Sequence, residues 1–365
     1  MKKSFSCFPG FCAFCILTVV FAVCGCIHHA PENQKEINSL TLMTWNIHNL
    51  FDGNDDGNEY AEFLQAAGWS SEKYMGRVNA IADAIRKIEP LPDIIMFQEI
   101  ESRAVLDDLA AALHKEFTWS HFAGNYNSAI GLGIISRFPL LDAKSHSITI
   151  EGDASPRPVL ETRIQTAQGD FIIFTCHWKS KIGGDDITEN TRRSSARVIL
   201  RRIREIWESE PKTGIIAAGD LNENFNEFFR QGSSYISALL PDDPHAALAA
   251  PVNVNHEGQK DFIVVTGAMP PSPVHFPAGT ITLFSPWADE IPNGSYYYRN
   301  AWETIDHFLI SHHFFDGAGW EYRKAYAADF EPFVNSNGVP VSYNSRTGGG
   351  LSDHLPLLLI LTLGE

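Results

Sequence analysis

Short apolar runs that alternate with helical segments restrict the fold of this 365-residue sequence more than any other feature. The runs lack the in-and-out alternation of half-exposed strands, which indicates strands covered on both faces. Helical spacing of apolar residues predicts helices over 71–89, around 105–113 and from about 191 to 210. Strands interleaved with helices predict an α/β fold. The predicted strands are 40–45, 93–97, 131–135, 171–176, 214–218, 303–310 and 355–363.

No linker, repeat or low-complexity block divides the sequence after the first 39 residues. We therefore predict one domain over 40–365, which is long enough to bury a large core. Within it, the glycine- and proline-rich stretch 241–292 is predicted to form long surface loops.

The N-terminal segment 1–26 is predicted to be an export signal and not part of the fold. Two lysines precede an apolar run over 11–23 that is too short to span a bilayer. The run ends at Cys24-Gly25-Cys26, which resembles a bacterial lipoprotein signal with Cys26 as the lipidated residue; the alternative is an ordinary cleaved signal. Residues 27–39 would then be a tether. We expect an exported protein of the cell envelope, periplasmic or on the outer surface, that touches the membrane only through this lipid anchor, or otherwise a secreted one.

Charge and cysteine content restrict the function further. Lys and Arg number 28 against 44 Asp and Glu, a net charge of −16, which disfavours tight nucleic-acid binding through a basic face. Bound divalent cations would still let such a protein process phosphoesters.

Beyond residue 26 the only cysteine is Cys176, so no disulfide framework forms, and an apolar strand setting predicts a buried thiol.

Four predicted strands end at polar residues, namely Asn46, Glu99, His177 and Asp220. Each alone has an ordinary explanation: a turn former, a solvated strand end, a core histidine or a helix cap. Because α/β sheets place ligand sites beyond strand ends, the four together predict a site there.

Two further acids and a histidine lie near the C-terminus. Asp306 lies in an apolar strand, where a carboxylate is costly unless it is paired, and Asp353-His354 precedes the last apolar run. An aspartate bonded to one imidazole nitrogen fixes the tautomer of the ring, as an acid–base or phosphate-binding histidine requires. Asp306 and His354 are the predicted pair.

The oxygen ligands of the candidate residues at the predicted site favour a hard divalent cation, Mg²⁺, with Mn²⁺ or Ca²⁺ as alternatives. HExxH, paired CxxC, GxGxxG, P-loop and GxSxG motifs are absent from the sequence, which disfavours zinc protease, nucleotide-cofactor, kinase and serine hydrolase functions. The candidate residues are Asn46, Glu99, His177, Asp220, Asn222, Asp306, Asp353 and His354.

Five motifs together resemble the endonuclease/exonuclease/phosphatase superfamily over about residues 40 to 363. The resemblance implies a four-layered α/β sandwich, with two mixed β-sheets face to face and helices on both outer faces. It also implies divalent-metal-dependent phosphoester hydrolysis. The motifs are Thr44-Trp-Asn46, Phe97-Gln-Glu99, Gly219-Asp-Leu-Asn222, Ile305-Asp-His307 and Ser352-Asp-His354.

The resemblance also assigns roles. Glu99, with Asp353 and Asn46, would bind the metal, and Asn46, Asn222 and Lys179 would bind the phosphate. The implied catalytic residues are His177, Asp220, Asn222, Asp306 and His354. His177 resembles the histidine of the deoxyribonuclease-like branch, and Tyr126 is the candidate for the tyrosine or glutamate that other members contribute between Glu99 and His177.

A bacterial exported subgroup, whose members are described as nucleases mostly by similarity, is resembled by Asn49-Leu-Phe-Asp52, Gly183-Gly184 and the segment 296–302. We therefore expect a monomeric exported nuclease, most simply an endonuclease, with DNA or RNA as a transient substrate and no nucleotide cofactor. The alternatives are a phosphatase or a lipid phosphodiesterase, inositol-phosphate- or sphingomyelinase-like, and, as a minority alternative, an inactive binding module.

Overall fold

The structure is a computed structural model that describes residues 37–113, 116–125, 128–150, 153–154, 157–250, 260–288, 291 and 293–364. The predictions for the export signal, Cys26, most of the tether and Tyr126 lie outside these residues. Among the described residues, none of the helices is both long and apolar enough to cross a membrane.

The described residues form eighteen strands and five α-helices. The strands are β1 (Ser39–Leu50), β2 (Ile94–Ile100), β3 (Trp119–Ala123), β4 (Gly131–Ser136), β5 (Leu140–His146), β6 (Thr149–Ile150), β7 (Asp153–Ala154), β8 (Val159–Ile164), β9 (Phe171–His177), β10 (Gly214–Asp220), β11 (Leu239–Pro241), β12 (Ile263–Thr266), β13 (Thr282–Phe284), β14 (Tyr296–Tyr298), β15 (Ala301–Glu303), β16 (Asp306–Ile310), β17 (Trp320–Ala327) and β18 (Leu357–Leu363). The helices are α1 (Ser71–Ile85), α2 (Arg103–Ala112), α3 (Asp185–Ser209), α4 (Glu227–Arg230) and α5 (Pro244–Ala249), with 3₁₀ turns at Ala61–Phe63, Gln65–Ala67, Pro286–Ala288 and His312–Phe314.

Most strands belong to two large mixed sheets. The six-stranded sheet has the order β17-β18-β1-β2-β4-β3, and the eight-stranded sheet has the order β11-β12-β13-β16-β10-β9-β8-β5. At the centre of each sheet lies a parallel pair, β1 with β2 and β9 with β10, among mainly antiparallel neighbours. The carboxyl ends of these parallel strands carry the candidate residues.

Alternate residues of the central strands face opposite apolar layers. In β1, Leu40 and Leu42 pack between the two sheets, whereas Met43 and Trp45 face α1 and α2. The eight-stranded sheet has the same division, and its outward residues pack against α3. This arrangement confirms the predicted four-layered sandwich with helices on both outer faces.

The inner face of the sandwich changes from apolar to polar toward the candidate site. Asn46, His177, Asp220 and Asp306 continue the same alternation as the apolar residues between the sheets. The pleat of the strands therefore points all four side chains into one cleft at the edge of the sandwich.

Two predictions about elements were wrong. Helix α3 begins at Asp185 and not near Thr191, because its first turns bury polar Thr188, Glu189 and Arg192 and so lack an apolar pattern. The predicted loops over 241–292 include strands β12 and β13 and helix α5. These strands extend one edge of the eight-stranded sheet and are too short for a periodic pattern.

The predicted strand 303–310 is two elements. Strand β15 ends at Glu303 in a hairpin with β14, and β16 begins at Asp306 against β10. Asp306 is therefore the first residue of a central strand. Its side chain lies on the same face as Phe308 and Ile310, which is directed between the sheets and, at Asp306, into the cleft.

Candidate active site

Asn46 and Glu99 lie where neighbouring strands of the six-stranded sheet lose their regular pairing. The β1–β2 register is interrupted after Asn46, and Glu99 has a positive φ of 66° at the matching irregularity in β2. β-bulges of this kind redirect side chains. Asn46 Nδ2 donates a hydrogen bond of 3.1 Å to Glu99 Oε1.

Asp220 brings the second sheet into contact with the first. Asn46 Nδ2 also donates to Asp220 Oδ2 at 3.0 Å, and Asp220 Oδ1 accepts from the backbone N–H of Asn222 at 2.8 Å. Burial raises the pKa of Asp220, the positive His354 opposes that shift, and Asp306 adds to it; the resulting pKa is about 7. A carboxylate with this pKa is suited to accept a proton at neutral pH.

His177 is adjacent to Asp220 in the parallel pairing of β9 and β10. Its Nε2 lies 3.5 Å from Asp220 Oδ2 and 3.7 Å from Glu99 Oε1. Burial, together with the positive charges of Arg157 and His354, lowers the pKa of His177 well below its usual range. His177 is therefore a neutral imidazole.

His354 and Asp306 form the predicted pair. His354 Nδ1 donates to Asp306 Oδ2 at 2.8 Å, and Ser295 Oγ donates to the same oxygen at 2.6 Å. Burial opposes the charged ring, but Asp306, with Asp220 and Asp353, raises the pKa of His354 to about 10. The ring is thus a fixed cation, and its Nε2 lies 4.0 Å from Asp220 Oδ2.

The segment that carries His354 is fastened to β1. Ser352 Oγ donates to the Asn46 carbonyl at 2.6 Å and accepts from His354 N–H at 3.1 Å. Trp45 Nε1 donates to the His354 carbonyl at 2.9 Å. Ser295, Ser352 and Trp45 were not among the predicted site residues. Trp45 and Ser352 lie in the quoted motifs, but neither residue type alone carries a signal of this role.

The other predicted residues lie around this centre. Asn222 has a φ of 49°, and its Nδ2 donates to the Trp178 carbonyl at 3.2 Å. The Asp353 carboxylate interacts electrostatically with His354. Among the described residues, no hydrogen bond or ion pair joins the Lys179 ammonium group to the central cluster. The structure therefore does not place Lys179 in contact with the other candidate residues.

Arg157 is a cation near the site, and it was not among the residues predicted from the sequence. Its Nη1 donates to the Trp178 carbonyl at 2.6 Å, and its charge acts on His177, Lys179 and Tyr60. It lies between two prolines in an irregular segment, where no motif or periodicity marks it.

The sequence was also compared with known families. Residues 41–235 match the sequence model of the Endonuclease/Exonuclease/phosphatase family, which is more than half of the chain. The chain belongs to this family. None of the curated proteins with which it was compared matches it.

Solved structures similar to this family member include two of TDP2. Truncated Caenorhabditis elegans TDP2 has 13% identity and a TM-score of 0.50, with 89% of this chain and 97% of that chain covered. D. rerio TDP2 complexed with single strand DNA product has 13% identity and a TM-score of 0.50, with 89% and 99% covered. At this identity the likeness shows the fold.

Enzymes of the endonuclease/exonuclease/phosphatase family hydrolyse phosphoester bonds and generally use divalent metals. For such an ion the described residues offer one cluster of three donors and, separately, the Glu99 carboxylate. Asp220, Asp306 and His354 have ligand atoms within 4.8 Å of one another. In that set Asp306 Oδ1 is also buried without a hydrogen-bond partner among the described residues, but the protonated His354 ring donates from Nδ1 to Asp306 Oδ2 and has no nitrogen lone pair free for a metal.

Glu99 provides the better-suited donor. Its Oε2 is buried and has no hydrogen-bond partner among the described residues, and an unpaired buried carboxylate oxygen is costly. Asp220 Oδ2 accepts from the same Asn46 Nδ2 as Glu99 Oε1, and carboxylate oxygens are ligands that Mg²⁺ and Mn²⁺ prefer. The residues present therefore fit a divalent cation beside Glu99.

Proposed function

We propose that this chain is a divalent-metal-dependent phosphodiesterase that cleaves nucleic acid, as an exported nuclease. The observation that carries the proposal is the bridge made by Asn46. Its amide joins Glu99, whose buried Oε2 has no hydrogen-bond partner in the part of the chain that the structure describes, to Asp220, which faces the His354 cation.

The residues of the cleft suit the steps of phosphodiester hydrolysis. Asp220 can accept a proton from water and align it for attack. The His354 cation can stabilise charge on the phosphate oxygens, and Asp306 keeps it oriented. A divalent cation held by Glu99, with Asn46 and Asp353 nearby, would offset further charge on those oxygens.

Aromatic side chains beside His354 support a nucleic-acid substrate. The Tyr296 ring lies 4.6 Å from the His354 ring and stacks on Tyr298 at 6.0 Å. Tyr298 is 47% exposed, and the Arg299 guanidinium lies 5.0 Å from its ring. Bases stack on such platforms without sequence preference. The single-strand DNA product in the TDP2 structure agrees with this substrate class.

The experiment that tests the proposal is a panel of substrates. Supercoiled plasmid, linear single-stranded DNA, RNA, bis-(p-nitrophenyl) phosphate and p-nitrophenyl phosphate are incubated with purified protein, with and without Mg²⁺, Mn²⁺ or Ca²⁺. We expect cleavage of nucleic acid that requires the metal and is lost in Asp220→Asn. Asp242→Asn, which changes a buried aspartate outside the cleft, is the matched control.

Other outcomes would redirect the assignment. Release of phosphate from the monoester alone would indicate a phosphatase, and hydrolysis of phospholipid but not of DNA or RNA would indicate a lipid phosphodiesterase. Binding of DNA without any turnover would favour the inactive binding module. Any of these three results contradicts the proposed nuclease.

We also propose that the protein is an exported lipoprotein anchored through Cys26. The support is the apolar run over 11–23 followed by Cys24-Gly25-Cys26. Labelling cells with radioactive palmitate should mark the wild-type protein and leave Cys26→Ser unlabelled. Equal labelling of both proteins would contradict the assignment of Cys26.

A further inference from the structure

The bulge in β1 leaves backbone groups without their sheet partners. Regular pairing with β2 runs to Asn46 and resumes only at Leu50. Between them, His48 and Asn49 adopt left-handed backbone angles, with φ of 56° and 60°. Buried carbonyl groups that leave a sheet ladder need other hydrogen-bond donors.

Arg77 of helix α1 supplies these donors. Its Nη2 donates to the carbonyls of Ile47 at 2.6 Å and His48 at 2.5 Å, and its Nη1 donates to the carbonyl of Asn49 at 2.6 Å. The side chain is 2% exposed, and its guanidinium lies 3.9 Å from the Tyr343 ring. One buried cation therefore holds three consecutive carbonyls.

The turn held by Arg77 determines which way the Asn46 amide faces. The backbone N–H of His48 donates to Asn46 Oδ1 at 3.0 Å. With its oxygen engaged there, the amide presents Nδ2 to Glu99 and Asp220. If the turn changed shape, the bridge between the two sheets would be lost.

We propose that Arg77 is a positioning residue of the active site, which acts by holding the 47–49 turn and so orients Asn46. The inference rests on the proposed metal-dependent function. The Arg77 charge also interacts with Glu99 and Asp353. Because of this interaction, the direction in which cation affinity changes on removing Arg77 distinguishes a positioning role from a purely electrostatic one. Removing a nearby positive charge would by itself tighten cation binding to these carboxylates, whereas losing the Asn46 orientation would weaken it.

The test compares Arg77→Met with wild type by isothermal titration of Mn²⁺ and by turnover of bis-(p-nitrophenyl) phosphate. Residues that support metal ligands typically change affinity or activity by about 10–100-fold. We expect weakening of Mn²⁺ binding and loss of kcat in that range. Arg77→Lys should recover part of both, because an ammonium group can still donate to some of the carbonyls.

Arg86→Met is the matched control, since Arg86 follows α1 and donates to the carbonyl of Ala112, away from the cleft. It should leave Mn²⁺ affinity and kcat unchanged. If Arg77 acts through Asn46, adding Arg77→Met to Asn46→Ala should cause no further loss.

Tighter or unchanged Mn²⁺ binding in Arg77→Met, or fully additive losses in the double variant, would overturn the inference. If Arg77→Met does not fold, Arg77→Lys is titrated, and wild-type Mn²⁺ affinity and kcat in that variant would overturn it equally. A wild-type protein that does not turn over the diester would instead contradict the proposed function, while the Mn²⁺ titration would still test Arg77.

Discussion

Asn46 is the residue on which the candidate site depends, because its amide reaches both sheets of the sandwich. Its position at the end of an apolar run, inside a motif, made it predictable from sequence. Three residues that stabilise the site through hydrogen bonds were not predictable, namely Arg77, Ser295 and Ser352. Each is a single residue of a common type, and its partner is 11 to more than 300 residues away, so no local spacing reveals the contact.

At the scale of single residues, we predict that Asp306→Asn lowers kcat at least about 100-fold with the fold intact. An amide at this position can donate to His354 Nδ1, which stabilises the other tautomer and removes the charge that keeps the ring positive. The measurement is kcat on bis-(p-nitrophenyl) phosphate, with thermal unfolding to check the fold.

Asp242→Asn is the control for this substitution, because Asp242 Oδ1 lies 3.4 Å from His275 Nδ1 in a second aspartate–histidine pair outside the cleft. It should retain wild-type kcat. A folded Asp306→Asn protein with near wild-type turnover would refute the role of the pair.

Glu99→Gln tests the metal donor. We expect its Mn²⁺ affinity to fall at least about 10-fold, since the substitution removes the charge of a carboxylate whose buried Oε2 has no hydrogen-bond partner among the described residues. Isothermal titration without substrate measures this directly. Glu101→Gln makes the same change two residues further along, where the carboxylate accepts from Asp52 N–H, and it should bind Mn²⁺ like wild type. Equal affinities in all three proteins would exclude Glu99 as a ligand.

Among the helices and strands, those with a clear pattern of apolar residues could be predicted from the sequence, and those without one could not. The central strands and helices α1 and α2 follow from apolar runs because their faces meet continuous apolar layers. Strands β11, β12 and β13 have three or four residues each, and their pairing depends on neighbours distant in sequence. The first turns of α3 bury charges paired with other elements, which a pattern of apolar residues cannot show.

Helix α3 is fastened to the eight-stranded sheet by a pH-sensitive contact. Burial alone would raise the pKa of Glu161, but hydrogen bonds from His146 and Arg202 lower it to about 2. A carboxylate with a depressed pKa stabilises the fold above its unfolded pKa, and this contribution fades as the pH falls toward 2.

We therefore predict that Glu161→Gln lowers the free energy of unfolding by about 2–3 kcal/mol at neutral pH. Urea unfolding of both proteins at about pH 7, 5 and 3 should show the difference narrowing below about pH 4.5. Glu205→Gln removes a more exposed partner of the same arginine and should cost less than about 1 kcal/mol. A difference that widens as the pH falls would contradict this assignment.

At the scale of the whole molecule, a net charge of −16 limits how nucleic acid can bind. The protein as a whole repels the phosphate backbone, so binding must depend on local features of the cleft. Arg157, whose charge acts on His177, is a cation near the cleft.

We predict a weak salt dependence for single-stranded DNA. Two phosphate contacts correspond to a slope of about −1.4 in a plot of log K against log[NaCl]. Fluorescence anisotropy with the Asp220→Asn protein between about 50 and 200 mM NaCl measures the slope. Arg157→Met should reduce its magnitude by about 0.7. A slope steeper than about −4 would indicate an extensive basic interface instead.

We propose that strands from both sheets build one cation-assisted phosphodiester site around Glu99, Asn46, Asp220 and His354. Anomalous diffraction from a crystal grown with Mn²⁺ tests it most directly. We expect a manganese peak about 2.0–2.6 Å from Glu99 Oε2, on the side of the cleft that faces His354. A peak seated among Asp220, Asp306 and His354, with none at Glu99, would contradict it.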